Sequence, residues 1–163
     1  MPILNIVQPE YISINDTLRL RKYDGNYHLA LKWYQDKDTL MLVNGNCKEY
    51  NNDRLKQMYD YLESQGEEYF IEVKESGVFI PIGDVTFWQK DMPIVIGDKN
   101  YRGTGIGKLV VMSLLNRARE LGFAMQYIDE IFDFNVASRR LFISCGFFEY
   151  RKTEKGAKYV CNL

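Results

Sequence analysis

Histidine is almost missing from this chain: His28 is the only one in 163 residues. The three cysteines, Cys47, Cys145 and Cys161, are odd in number and widely scattered. That pattern suggests neither a disulfide framework nor a zinc site, so reduced thiols and no metal are expected. His28 has no second histidine and no carboxylate-cysteine cluster near it, and it reads as a packed or surface residue. An excess of one charge is lacking as well, since 21 Lys and Arg face 22 Asp and Glu, a net charge of −1. Such a balance leaves no electrostatic footprint for nucleic acid or an anionic membrane, apart from a local basic patch around Arg139 and Arg140. No apolar run reaches membrane-spanning length, and Met1 to Asn5 lack the charged flank and apolar stretch of a secretion signal, so a cytoplasmic location is expected. Repeats, low-complexity tracts and linkers are also missing. What is present, 46% hydrophobic residues, suits one domain over residues 1–163 with its own core.

Along the chain, Thr17 to Lys22 alternates as a strand, and Asp24-Gly25-Asn26 signals a turn into a helix carrying Leu29, Ala30 and Trp33. Asp36 to Asp38 breaks that pattern before the apolar run Thr39 to Val43 and the Asn44-Gly45 turn. Asn52 or Asp53 can cap a second helix, with Leu55, Met58, Tyr59 and Leu62 facing inward and Gly66 as its stop. Glu68 to Lys74 and Val78 to Trp88 read as an antiparallel hairpin, its second arm broken by Pro81 and Gly83. After the apolar run Met92 to Ile96, a long helix begins near Gly105. Ile106, Val110, Leu114, Ala118 and Leu121 line one face of it, and Gly122 can end it. Met125 to Phe132 reads as a strand, and Phe147 to Lys152 and Lys158 to Cys161 form a closing hairpin around Lys155-Gly156.

Arg102-Gly103-Thr104-Gly105-Ile106-Gly107-Lys108 therefore lies between a strand and a helix start. Three glycines at alternate positions let the backbone approach a bulky ligand, and the first helical N–H groups point outward as donors, a cradle suited to a phosphate or pyrophosphate. A dinucleotide fingerprint fails on register because Lys108 follows Gly107. A nucleotide-hydrolysing loop fails because Leu109, not Ser or Thr, follows Lys108. Tight helix packing is the plain alternative reading of these glycines.

The Arg-Gly-x-Gly-x-Gly run resembles the pyrophosphate-binding signature of the GNAT superfamily of acyl-CoA-dependent N-acyltransferases. A second match reinforces it: Asn135-Val136-Ala137-Ser138-Arg139-Arg140-Leu141-Phe142, followed by Cys145-Gly146-Phe147, is similar to the later family segment in which Asn opens a short helix. The resemblance covers roughly Asp84 to Phe148. It implies an α/β (α+β) fold with a mixed, mostly antiparallel central sheet, helices on both faces and the order β-α-α-β-β-β-α-β-α-β-β.

The resemblance also implies roles. Ile94, Val95 and Ile96 would pair with the pantetheine arm of acetyl-CoA, the co-substrate, and the thioester would sit in a gap between strands. Arg102 and the N–H groups of Gly103, Thr104, Gly105, Ile106, Gly107 and Lys108 would hold its pyrophosphate. Asn135 would bond the arm or nearby backbone, with Ser138 beside it among the cofactor-binding residues. Asp91 stands where many members carry a catalytic Glu. It would remove the amine's proton, more plausibly through a water, or else it is a solvated turn residue. Phe142 stands where the family often has a proton-donating Tyr, which leaves Tyr127, Tyr101, Cys145 or water for that task. Trp33 and Tyr34, with Asp36 and Asp38, would receive a cationic amine, small molecule or peptide. Alternatively Trp33 is core and the aspartates form a solvated loop. The expected activity is acetyl transfer from acetyl-CoA to an amine by direct attack in a ternary complex. A non-catalytic acyl-CoA-binding module of the same fold is the alternative, and a homodimer is left open.

Overall fold

In the computed structural model, which describes residues 3–163, the chain opens with two strands, β1 (Tyr11–Asn15) and β2 (Leu18–Lys22). Two short 3-10 turns follow, Tyr27–Ala30 and Trp33–Gln35. Then come helices α1 (Lys37–Asn44) and α2 (Asn52–Gln65), the long hairpin of β3 (Glu67–Glu75) and β4 (Val78–Phe87), and the short strand β5 (Ile94–Ile96). The remainder is α3 (Ile106–Glu120), β6 (Met125–Phe132), α4 (Val136–Ser144), β7 (Phe148–Lys152) and β8 (Gly156–Asn162). Two compact units result: residues up to Trp88 together with Ile94–Arg102, and Gln89–Pro93 together with Gly103–Leu163.

The expected mixed α/β fold of antiparallel strands and helices is present, with three differences of detail. The strand β1 was not anticipated. The first helix lies about one helix length later than read, because the Asp36 carboxylate accepts the Thr39 N–H at 2.9 Å and so starts α1 where a break was expected. And the strands form two sheets, ordered β1-β2-β3-β4-β5 and β6-β8-β7, with every pairing among them antiparallel.

In the first unit, β4 runs unbroken through Pro81 and Gly83. Ile71 faces Gly83 and Glu72 faces Pro81, so Ile82 is the extra residue of a bulge that accommodates the proline's missing N–H. Gly83 is required there, since a Cβ would stand 2.1 Å from the Val95 carbonyl oxygen. The core is aromatic: Tyr23 stacks on Tyr59 at 5.0 Å, and Trp33 and Tyr59 each set an edge against Phe70. Asp84 lies opposite Phe70 in the ladder, and Glu68, two residues from Phe70, shares that face. Both carboxyls are buried. Asp84 Oδ2 accepts from the Tyr34 and Tyr59 hydroxyls at 2.9 and 2.7 Å, whereas neither carboxyl oxygen of Glu68 has a hydrogen-bond partner among the described residues.

In the second unit, Val110, Val111, Leu114, Leu115 and Ala118 bury one face of α3, and Gly122 at φ +78° ends it as expected. β8 begins at Gly156, two residues earlier than the alternation indicated. A Cβ at that position would meet the Ile131 carbonyl oxygen at 2.0 Å, so β6 and β8 close only over glycine.

Burial and the nearby Asp84 push the Glu68 carboxyl up to about 10. The folded chain then holds a proton that an unfolded Glu releases near its ordinary 4.5, so this residue's contribution to stability is complete below that pH and is lost as pH rises toward 10. Glu68→Gln should melt like the parent near pH 5 and at a higher temperature at pH 8–9, as read by thermal denaturation across that range. Parallel melting curves at every pH would show that Glu68 is ionised in the fold.

Candidate functional site

After β5 the chain turns through Gly97 and a 3-10 turn at Lys99–Tyr101, reaches Arg102, and enters the glycine run. Gly103 and Gly105 adopt φ +70° and +86°, the left-handed region that costs other residues roughly 1–2 kcal/mol. α3 then begins with Gly105 at its N-cap, where no side-chain cap is found among the described residues, although Asp36, Asn51 and Asn135 cap α1, α2 and α4. Gly103, Thr104, Gly105 and Lys108 are exposed and Ile106 and Gly107 half-buried. The glycines divide the labour: a Cβ on Gly105 would meet nothing within 4 Å, whereas one on Gly107 would lie 3.2 Å from a Leu141 methyl of α4. Gly105 serves backbone shape and Gly107 serves packing.

β5 is the outer strand of its sheet, and Ile94, Val95 and Ile96 are half-buried. Arg102, expected at the pyrophosphate, donates from Nε to the Ile96 carbonyl at 2.8 Å and from Nη2 to the Thr39 hydroxyl at 2.6 Å. Asp36 also binds Lys99 at 2.8 Å, and this bond with the Thr39 N–H lowers its carboxyl to about 2.

The two aromatic residues proposed for the acceptor have different surroundings. Trp33 is 2% exposed, and its Cγ lies 2.1 Å from where a Cβ on Gly97 would stand. It borders an open hollow of about 300 Å³, lined also by Lys32, Asp36, Gly97, Asp98 and Lys99. Tyr34 is buried in the core, its hydroxyl held by Asp84. Asp38 is exposed and bonded to Lys99 at 3.4 Å.

In the second unit, Tyr127 N–H donates to the Gln89 carbonyl, as in a ladder. Two residues on, Asp129 N–H donates at 3.1 Å to the Asp91 carboxylate, which also accepts the Met92 N–H at 2.9 Å. Both bonds fall on Oδ1, leaving Oδ2 for a proton, and burial raises the Asp91 carboxyl above its ordinary value. Asn135 caps α4 by accepting the Ser138 N–H at 3.1 Å, so these two candidates meet at one helix end. Phe142 is buried edge-on against Phe147 at 5.2 Å. Of the other candidate acids, the Tyr127 hydroxyl contacts Met125 Sδ, and burial pushes the Cys145 thiol up. Among the described residues no cluster of three or more His, Cys, Asp or Glu could hold a metal.

Thr39 and Asp84 were missed from the sequence. The signal for Asp84 was a lone carboxylate within the apolar arm of a hairpin. Thr39 gave none.

Residues 27–147 match the acetyltransferase (GNAT) family. No curated protein matches the chain in sequence. Among solved structures, a GNAT-family acetyltransferase from Bacillus anthracis superposes with a TM-score of 0.74 at 14% identity, covering 93% of this chain and 98% of its own. AAC(6')-Ib in complex with paromomycin and acetyl-CoA gives 0.74 at 13% identity, with 90% and 94% covered. Spermidine N-acetyltransferase from Vibrio cholerae, in complex with CoA and spermine, gives 0.71 at 16% identity, with 91% and 96% covered. These structures share the fold, and the family match spans most of the residues that build both units: the chain belongs to the GNAT acetyltransferase family.

Proposed function

We propose that this chain transfers an acetyl group from acetyl-CoA to an amine by direct attack in a ternary complex. The observation that carries the reading is the uncapped start of α3 behind two left-handed glycines. Main-chain N–H groups of residues 103–108 serve there as diphosphate ligands, with Lys108 adding charge. The outer edge of β5 offers main-chain groups to the amides of the pantetheine arm, and Asn135 and Ser138 at the start of α4 belong to the same cofactor set. Asp91 Oδ2 takes the amine's proton through a water, the amine nitrogen bonds the acetyl carbon, and the carbon–sulfur bond breaks. The proton lost by the nitrogen, carried on Asp91, returns through water to the departing thiolate, since Phe142 has none to give. Alignment of the reactants supplies a large share of the barrier reduction, about 7 to 11 kcal/mol in well-oriented systems.

An amine acceptor is supported by two fold neighbours, one in complex with paromomycin and one with spermine. The hollow beside Trp33, with Asp36 and Asp98 on its wall, is the acceptor-facing surface in this reading. Tyr34, its ring packed against Tyr50 and Tyr59 and its hydroxyl on Asp84, belongs to the core rather than to the acceptor-facing surface. One observation favours a second reading, a non-catalytic acyl-CoA-binding module: the position of the usual acid holds the buried ring of Phe142. Release of free thiol from acetyl-CoA across a panel of amines decides between them. Saturable acetyl-CoA binding with no amine-dependent release at any pH would establish the module.

Gly105→Asn tests the cradle, because Asn tolerates the left-handed conformation and its side chain would enter open space. The variant should fold normally and bind acetyl-CoA at least about tenfold more weakly, a loss of about 1.4 kcal/mol; parental affinity by calorimetry would rule the cradle out. Asp91→Asn tests the base cleanly, since the amide oxygen can still accept the Met92 and Asp129 N–H groups. Its turnover should fall by about 10²-fold or more with little change in acetyl-CoA affinity, and the acidic limb of the pH–rate profile should flatten. A parental pH–rate profile would remove Asp91 from the mechanism.

A further inference from the structure

Arg102 is the last residue before Gly103, and its guanidinium is committed within its own unit. Nε holds the carbonyl of Ile96, the last residue of β5, and Nη2 holds the Thr39 hydroxyl in the first turn of α1. Thr39 is 2% exposed, and its own hydroxyl proton goes to Asp36 Oδ2 at 3.0 Å, so the acceptor that Arg102 meets has a single orientation. Lys99, from the same short connection, reaches Asp36 and Asp38 at that helix end. Cations at a helix N-terminus oppose its dipole, so α1 gains little from Arg102 being there. The gain falls to the connection, whose two ends are tied by one planar, five-donor group.

We propose that Arg102 is a positioning residue for acetyl-CoA binding: by stapling the end of β5 to Thr39 it fixes the direction in which the chain enters the glycine turn. The diphosphate is then gripped by the main chain of residues 103–108 and Lys108, and Thr39, remote in sequence, governs the cofactor's affinity without touching it. This inference rests on the cradle reading above.

The test is a double-mutant cycle on acetyl-CoA affinity, measured by calorimetry on the full chain with melting temperatures alongside. Arg102→Gln and Thr39→Val should each weaken binding, on the order of tenfold, and the double variant should lose no more than the weaker-binding single. Thr39→Ser, which keeps the hydroxyl, should recover the affinity lost in Thr39→Val. Arg102→Lys should behave like Arg102→Gln, because an ammonium keeps the charge but not the fork. A direct phosphate contact gives the opposite pattern and overturns the proposal: Thr39→Val binds as the parent, Arg102→Lys keeps most of the affinity, or the two losses multiply. A loss tracked entirely by a lower melting temperature, without recovery in Thr39→Ser, overturns it too. A parent chain that binds no acetyl-CoA removes cradle and staple together, whereas a parent that binds with Thr39→Val unaffected removes the staple alone.

Discussion

The first turn of an α-helix carries N–H groups that the helix itself cannot satisfy. Among the described residues, a side chain answers part of that need at three of the four helices: Asp36, Asn51 or Asn135. At α3 none does. Two glycines in the left-handed region, Gly103 and Gly105, lead the chain into that end. The functional reading depends on this one imbalance of donors over acceptors, since a ligand rich in acceptor oxygens is what the imbalance favours. The surrounding residues have secondary tasks: Gly107 lets α4 approach, and Arg102 and Lys99 hold the connection that leads in.

A different constraint organises the first unit. Its aromatic layer packs over a strand face carrying two carboxyls, and burial of charge without a partner is costly. Asp84 meets that cost with two tyrosine hydroxyls, one from the 3-10 turn after Ala30 and one from α2. A single carboxylate thereby registers both segments on β4. Glu68 has no such partners and is accommodated as a neutral acid. The same layer presses the Trp33 ring onto Gly97, so that the wall of the hollow and the path beyond β5 share one contact.

Much of this was legible in the residues, wherever periodicity and punctuation agreed. Helix α2, the β3–β4 hairpin and the run from α3 to α4 have strong apolar periods bounded by Asn or Gly, and they lie within a residue or two of where those signals put them. The region before α2 was harder because Asp36 carries two meanings: an aspartate after an apolar pattern can end one helix or cap the next, and only the Thr39 N–H decides. Pro81 and Gly83 looked like breaks because a bulge at Ile82 depends on the opposing strand. Of the candidate site, the glycine turn could be read from spacing. Trp33 and Tyr34 could not be separated, since adjacent residues of a 3-10 turn point about a third of a turn apart, one to the hollow and one to Asp84. The Arg102–Thr39 bond joins residues 63 apart, and no local signal announces it.

Asp91 carries one further implication. Its carboxylate oxygen occupies the station that a peptide carbonyl would hold as the pairing begun by Gln89 and Tyr127 runs on to Asp129. Peptide rungs are indifferent to acid. This rung is ionisable, so the seam it closes weakens when a proton arrives. An ionisable group set into a strand seam in this way makes the local backbone pairing sensitive to pH, which a main-chain rung would not be.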